Sequence, residues 1–327
     1  MRAKFAVLFL FILSLANAQM AERFVFYNVE NAFHPAWDSL NPDREFSKAG
    51  TKDWDSTKYY HKLNQIAKVI LSLSQENYET PALIGLAEVE CRQVLADLIQ
   101  RPSLKKLDYQ FVHYESPDRR GIDVALIYRK SKLKLIESKA LPYSFPQDSS
   151  YRSRDMLYAK FYHQDLDTLN FLINHWPSRY GGKEKSEPRR LAAAKNAFEF
   201  LGALPFDNLI VMGDFNDEPQ DSSIKFLGNR LKVENLMLKL ETSMGSHRYK
   251  GDWAYLDQIL FRSTQNKGKE LVIDTAAVHQ VEFLLEPDMR FPGNKPFRSF
   301  KGSFYQGGFS DHLPVYVDIK QKQTQPQ

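Results

Sequence analysis

IVMGDFNDEP, residues 210–219, runs from apolar residues straight into Gly213, Asp214, Phe215 and Asn216. Glycine, aspartate and asparagine are ordinary turn formers, so a strand followed by a turn accounts for the composition. A carboxylate and an amide two residues apart, delivered by the end of a buried strand, also make part of an active site. The rest of the chain decides between these readings.

Short apolar runs rich in β-branched and aromatic residues recur on both sides of this stretch. They predict strands at Phe24–Asn28, Ala82–Ala87, Val124–Tyr128, Leu157–Tyr162, Leu169–Asn174, Leu209–Met212, Tyr255–Phe261 and Val315–Ile319. Helical spacing predicts a helix over Tyr59–Leu73, with Leu63, Ile66, Ile70 and Leu73 on one face. A second is predicted over Glu187–Leu201, opened by Glu187 and Pro188, with Lys185, Arg189 and Arg190 on a solvated face. Strands interspersed with helices imply a mixed α/β protein of stacked sheets covered by helices. The loop Asn41–Thr57 reads equally as a functional segment and as a cover packed by its own aromatics, Trp54 among them.

The first residues read as a secretory signal peptide, residues 1–18: Arg2 and Lys4, an apolar run Phe5–Leu15, then Ala16-Asn17-Ala18. The chain is therefore expected to be secreted or periplasmic, with no membrane span. Residues 19–321 are expected to form one domain and 322–327 a polar tail. Cys91 is the only cysteine, which excludes an intramolecular disulfide and a cysteine-based zinc site. Loss of Arg2 and Lys4 takes the formal charge from +4 to +2, so phosphate binding must be local. A monomer is expected.

Polar residues gather beyond the carboxyl ends of the apolar runs: Asn28 and Glu30, Glu88 and Glu90, Asn174 and His175, Asp214 and Asn216. Asp311 and His312 stand just before the last run. One such group is an ordinary capped strand; the set together is the pattern of loops that carry reactive groups on an α/β scaffold. Carboxylates with amides and no thiolates suit a hard ion, Mg²⁺ foremost, with Mn²⁺ or Ca²⁺ as alternatives. Histidines beside such an ion suit proton transfer or oxyanion stabilisation. No nucleophile elbow, H-E-x-x-H or Walker loop is present, which favours metal-assisted attack of water on a phosphate ester.

NVE at Asn28, AEVE at Glu88, NHW at His175, GDFN at Asp214 and Asn216, LDQIL at Asp257 and SDHLPV at Asp311 and His312 occur in one order. That order resembles the endonuclease/exonuclease/phosphatase superfamily, over nearly all of the chain. The resemblance implies a four-layered α/β/β/α sandwich of the DNase I-like type. It implies Glu88 as principal metal ligand, with Asn28 and Asp311 completing the shell. Asp214 would position or deprotonate the attacking water, and Asn216 would hold that water or a phosphate oxygen. His312, held by Asp257, would contact the scissile phosphate, and His175 would bind a phosphate oxygen or protonate the leaving group. Ala87 stands where many members carry Gln, and Tyr255 where an Arg is frequent.

Three expectations go beyond the motifs. Asp123 is in phase with Ala125 and Ile127 on one strand face, where a carboxylate needs a partner; the expectation is that it pairs with His175 and raises its pKa. Arg179 and Lys183 are expected to contact phosphate beside His175. The substrate is expected to be nucleic acid, with a small or lipid phosphoester as the alternative and a non-catalytic binding protein as the reading from another class.

Overall fold

The computed structural model describes residues 21–36, 44–74, 79–240, 242, 244–264 and 270–322. The expected signal peptide, residues 1–18, lies outside the described residues, as does all of the expected tail except Lys322. The first half runs β1 (Glu22–Ala32), α1 (Ser56–Ser72), β2 (Leu83–Val89), α2 (Arg92–Ile99), β3 (Tyr109–His113) and β4 (Asp123–Arg129). Next come β5 (Leu133–Leu141), β6 (Met156–His163), β7 (Asp167–His175), α3 (Lys183–Leu201), β8 (Asn208–Asp214) and α4 (Ser222–Leu231). The short β9 (Glu234–Asn235) is followed by the hairpin β10 (His247–Tyr249) and β11 (Asp252–Ala254), then β12 (Asp257–Ser263) and β13 (Leu271–Val278). Two small hairpins, β14 (Leu285–Pro287) with β15 (Asn294–Pro296) and β16 (Phe300–Lys301) with β17 (Phe304–Tyr305), precede β18 (Val315–Gln321).

The long strands form two six-stranded sheets, ordered β13-β18-β1-β2-β4-β3 and β5-β6-β7-β8-β12-β9. Each sheet is built around one parallel pair, β1/β2 and β7/β8, and the helices α1 and α3 make the crossovers that parallel pairing requires. The sheets pack face to face, with Phe24 of β1 against Phe171 of β7 at 5.2 Å between ring centroids. Helices cover the outer faces, so the strands are buried on both sides and read as continuous apolar runs. One core lies between the sheets and under α1 and α2; a second lies between β8 and the pair α3 and α4. This is the expected α/β/β/α sandwich.

The eight predicted strands are present, and most extend past the apolar run that revealed them, into the polar residues of interest. Sequence reading missed the short hairpin strands β10, β11 and β14–β17 and, in the two large sheets, β3, β5, β9 and β13, which are all four edges of those sheets. An edge strand has one neighbour and a solvated side, so β5 (LKLIESKAL) buries little beyond its terminal leucines. Helix α3 starts at Lys183 and holds Pro188 inside it. Around that proline, first-turn carbonyls accept from side chains: Gly182 O from Ser186 Oγ at 2.7 Å and Lys183 O from Arg190 Nη2 at 2.9 Å. Arg190 is thus not solvated as expected. It is fully buried and pairs with Asp217 at 2.5 Å, because α3 packs over the turn that follows β8.

Gly213 decides how β8 ends. A Cβ there would stand 2.4 Å from Asn174 O and 2.6 Å from Asn174 Cβ, so only glycine lets β8 lie this close to β7. Gly213→Ala is expected to destabilise the fold by about 1–3 kcal/mol, the usual scale of overpacking. Denaturant unfolding measures it, and an unchanged midpoint would contradict the close approach.

Candidate active site

The polar groups meet at one end of the seam between the sheets. In one sheet, His175 of β7 and Asp257 of β12 both stand in register with Asp214 of β8, so the three form a row. The other sheet supplies Asn28 from β1, Glu88 from β2 and the segment Ser310–His312 before β18. Asp214 links the two: Asn216 N–H donates to its Oδ1 at 2.9 Å, and Asn28 Nδ2 donates across the seam to Oδ2 at 3.1 Å. His312 Nδ1 donates to Asp257 Oδ2 at 2.6 Å, and its Nε2 lies 3.9 Å from Asp214 Oδ2. Ser310 Oγ donates to Asn28 O at 2.7 Å and accepts His312 N–H at 3.0 Å, fixing the segment to β1.

Backbone strain is concentrated here. Glu30, Asn31, Glu88 and Asn216 all have φ between +50° and +64°, a region that non-glycine residues seldom occupy. The β1/β2 register shifts between Asn28 and Ala32, and the β2/β4 register between Ala87 and Val89. These bulges turn Glu88 so that Oε2 accepts Asn31 N–H at 2.9 Å while Oε1 faces Arg120 at 3.5 Å.

Charge is crowded and unequal. Burial raises the Asp214 carboxyl to about 7, with Asp257 adding to the rise against the pull of His312 and the hydrogen bonds from Asn216 and Asn28. Burial pulls the His312 imidazole down, but Asp257 and Asp214 outweigh it and hold the group well above 6.5, charged at neutral pH. His175 is the opposite case. Burial, with Arg154, Arg120 and His312 nearby, keeps it well below 6.5, and its Nδ1 is buried without a hydrogen bond. Burial also pushes the Asp311 carboxyl up, yet Arg298 and His312 bring it down to about 2. Arg298 bridges Asp311, at 3.0 Å, and the buried Glu30, at 2.8 Å.

Beneath them lies Lys62, buried on the apolar face of α1 and donating to Ser299 Oγ at 2.6 Å and Phe309 O at 2.5 Å. Burial pulls its ammonium down to about 8 against the pull of Glu30, Asp311 and Glu88. Even with Lys62 and Arg298 present, burial and then Asp311 raise the Glu30 carboxyl. An oxygen-only donor set in such a place fits a hard divalent cation. Glu88 and Asp311 would hold it. Asn28 Oδ1 already accepts Glu30 N–H at 3.0 Å, which leaves one lone pair for an ion.

The structure therefore brings Asn28, Glu88, His175, Asp214, Asn216, Asp257, Asp311 and His312 together. Three other expectations are corrected. Asp123 does not pair with His175: its Oδ2 meets His113 of the edge strand β3 at 3.0 Å and its Oδ1 accepts from Ser116 N at 3.0 Å, so both oxygens are engaged within its own sheet. The pKa of His175 is lowered, not raised. Arg179 and Lys183 face the acidic turn after β8, Arg179 donating to Asn216 O at 2.8 Å and Lys183 meeting Asp221 at 2.8 Å, so they hold that turn in place of phosphate. Trp54 proves to be cover: it is buried, donates to Phe33 O at 2.9 Å and packs on Phe46 and Phe300.

Sequence reading missed Lys62, His247 and Arg298. Lys62 carried a signal, a charge beside Leu63 and Ile66 on the apolar face of α1. His247 and Arg298 carried none, because each is a single polar residue in a polar loop. His247 stacks on His312 at 4.7 Å between ring centroids.

Fold and site together define a phosphoesterase scaffold of the DNase I-like type. The chain belongs to the endonuclease/exonuclease/phosphatase family, whose model matches residues 23–321. Divalent cations are typical of that family, and acidic and histidine groups that could hold one lie close together here. No curated protein matches the chain. Solved structures share the fold: the human Nocturnin catalytic domain with bound sulfate is 19% identical, with 92% of this chain and 95% of that one covered at a TM-score of 0.58. D. rerio TDP2 complexed with single strand DNA product is 16% identical, covering 91% and 98% at 0.58. A mannosyl-6-phosphatase from Bacteroides thetaiotaomicron is 15% identical, covering 91% and 99% at 0.58.

Asp214 gives a pH test on the metal-free protein. Its folded pKa of about 7 lies above the ordinary 3.8, so its contribution to stability is full below pH 3.8 and is lost as pH rises through 7. Asp214→Asn removes that dependence. The variant is expected to gain stability relative to wild type as pH rises from 4 to 7, measured by denaturant unfolding; a constant difference would contradict the raised carboxyl.

Proposed function

We propose that the protein is an exported, divalent-cation-dependent phosphodiesterase that cleaves nucleic acid, with Mg²⁺ as the ion. Export rests on the signal sequence at residues 1–18. In this reading Asp214 takes a proton from the attacking water, supported by its carboxyl near 7 and by the hydrogen bonds from Asn28 and Asn216 that hold its two oxygens in one orientation. The amide oxygen of Asn216 is the group left to align that water, since its Nδ2 donates to Trp176 O at 3.1 Å. His312, kept charged by Asp257, donates from Nε2 to the phosphate oxyanion. His175, neutral, offers an N–H donor to a phosphate oxygen. Glu88 and Asp311 would hold the cation, which when bound would neutralise charge on the phosphate.

The observation that carries the choice of nucleic acid is a cavity of about 400 Å³ that opens beside His247 and Asp311. Arg248, Lys250, Arg290, Lys295, Arg298 and Lys301 line it, against the carboxylates of Asp288 and Asp311. Lys250, Arg290 and Lys301 have no carboxylate partner among the described residues. A local run of cations beside the reacting groups suits a polyanion even where net charge is small. One observation favours the small-ester reading: on the other side of Arg298 a cavity of about 440 Å³ lies between Glu30, Asn31, Arg120, Trp54 and Phe300.

Purified protein with Mg²⁺ or Mn²⁺ is expected to cleave DNA or RNA and bis-p-nitrophenyl phosphate, and to lose activity with a chelator. His312→Ala and Asp214→Ala should each lower turnover by roughly 10²–10⁴-fold. Polynucleotide affinity should fall linearly in log–log form with salt. Turnover of phosphomonoesters alone would replace this reading with the small-ester one, and no turnover of any ester would favour a binding protein.

A further inference from the structure

The cavity beside Asp311 is not only basic. Tyr249, Met289 and Phe291 line it and are 66%, 84% and 37% exposed, an unusual grouping of large apolar side chains on one wall. Scattered exposed apolar residues need no explanation, but here they alternate with Lys250 and Arg290 along two adjoining turns.

Those turns are held rigidly. Arg248, with its side chain 5% exposed, donates to Gly251 O at 3.0 Å within its own hairpin. It reaches the turn between β14 and β15 as well, through Asn294 O at 3.0 Å, Pro292 O at 2.6 Å and Asp288 at 3.3 Å. Gly251, at φ +95°, lets the β10/β11 turn close against Phe291, where an added Cβ would stand 3.1 Å from the ring. At its other end the hairpin is bridged to the catalytic segment by the backbone pairing of His247 with His312. An exposed apolar platform is therefore fixed in place, two residues beyond the histidine whose ring packs on His312.

We propose that Tyr249, Met289 and Phe291 form a base-stacking platform and that the substrate is single-stranded polynucleotide, bound with its phosphates on Lys250, Arg290 and Lys301. The inference rests on the nuclease reading and sharpens it. Cations alone would serve a duplex equally, because a duplex presents phosphates and hides base faces. Apolar surfaces interleaved with cations in a concave wall gain contact only from unpaired bases, whose π faces are available for stacking. A lipid surface is the competing partner for aromatic and basic residues together; the cavity of about 400 Å³ that these residues line beside Asp311 favours a strand that can enter it.

The test is equilibrium binding by the whole chain in chelator, where no cleavage occurs. The probes are a labelled short single strand, the duplex formed from it, and vesicles of anionic lipid. The single strand is expected to bind at least about tenfold more tightly than the duplex. Tyr249→Ala and Phe291→Ala should each weaken single-strand binding by about tenfold, and Tyr249→Trp should restore it. Circular dichroism and Tm identify any variant that has lost its fold, in which case Tyr249→Ser and the wild-type strand preference carry the result. Equal affinity for strand and duplex, with strong salt dependence, would overturn the platform and leave the nuclease reading intact. Vesicle binding that depends on Tyr249, without strand preference, would overturn it in favour of a lipid surface. Absence of any polynucleotide binding or cleavage, with small-ester turnover retained, would overturn the nuclease reading itself.

Discussion

Asp257 reaches across the seam between the two sheets and accepts a hydrogen bond from His312 at 2.6 Å, and the rest of the site is arranged around that contact. The sheets are joined along most of their faces by apolar packing, which is indifferent to small slips. At the active end the joint becomes polar, and polar joints are directional. Asp257 on His312 and Asn28 on Asp214 set the relation of one sheet to the other to within hydrogen-bond tolerance, and Ser310 on Asn28 fixes the His312 segment to β1. Each of these groups is buried, so breaking one contact leaves a desolvated polar atom behind.

The same contacts divide the charges among the reacting groups. Two carboxylates, Asp214 and Asp257, stand side by side in register, and a single charged imidazole serves both. Asp257 takes the closer contact, and burial, with Asp257 alongside, raises the Asp214 carboxyl to about 7 against the pull of His312. On the far side of Asp214, His175 Nε2 lies 3.6 Å from Asp214 Oδ2, yet burial and the neighbouring cations keep the imidazole neutral. The two histidines thus differ through their surroundings, one a cation and the other a neutral donor. Glu30, Glu88 and Asp311 all lie within electrostatic reach of Lys62 and Arg298, and Glu88 and Asp311 are the oxygen donors that a hard cation would use.

Much of this was legible in the sequence because it is local. IVMGDFNDEP puts Gly213, Asp214 and Asn216 on one strand end, and the close approach to Asn174 shows why the glycine is there. What was not legible depends on distant pairing. Asp123 was rightly read as a carboxylate needing a partner, but the partner is His113, on an edge strand too polar to be recognised. Arg190 looked solvated because its partner Asp217 lies beyond another element. Arg298 and His247 gain their meaning only from hairpins that pack beside β18, and Lys62 shows that a charge on an apolar helix face marks a buried counter-charge. Edge strands escaped for a plain reason: burial writes the apolar pattern, and edges are the least buried.

The central claim is that Asp257 keeps His312 charged beside a proton-accepting Asp214. NMR titration of the His312 imidazole in wild type and in Asp257→Asn, alongside phosphodiester turnover, tests it most directly. The account predicts an imidazole that stays charged across neutral pH in wild type and loses its charge there in the variant, with turnover falling in parallel. A wild-type His312 that titrates at its ordinary value near 6.5, or an Asp257→Asn enzyme of undiminished activity, would contradict it.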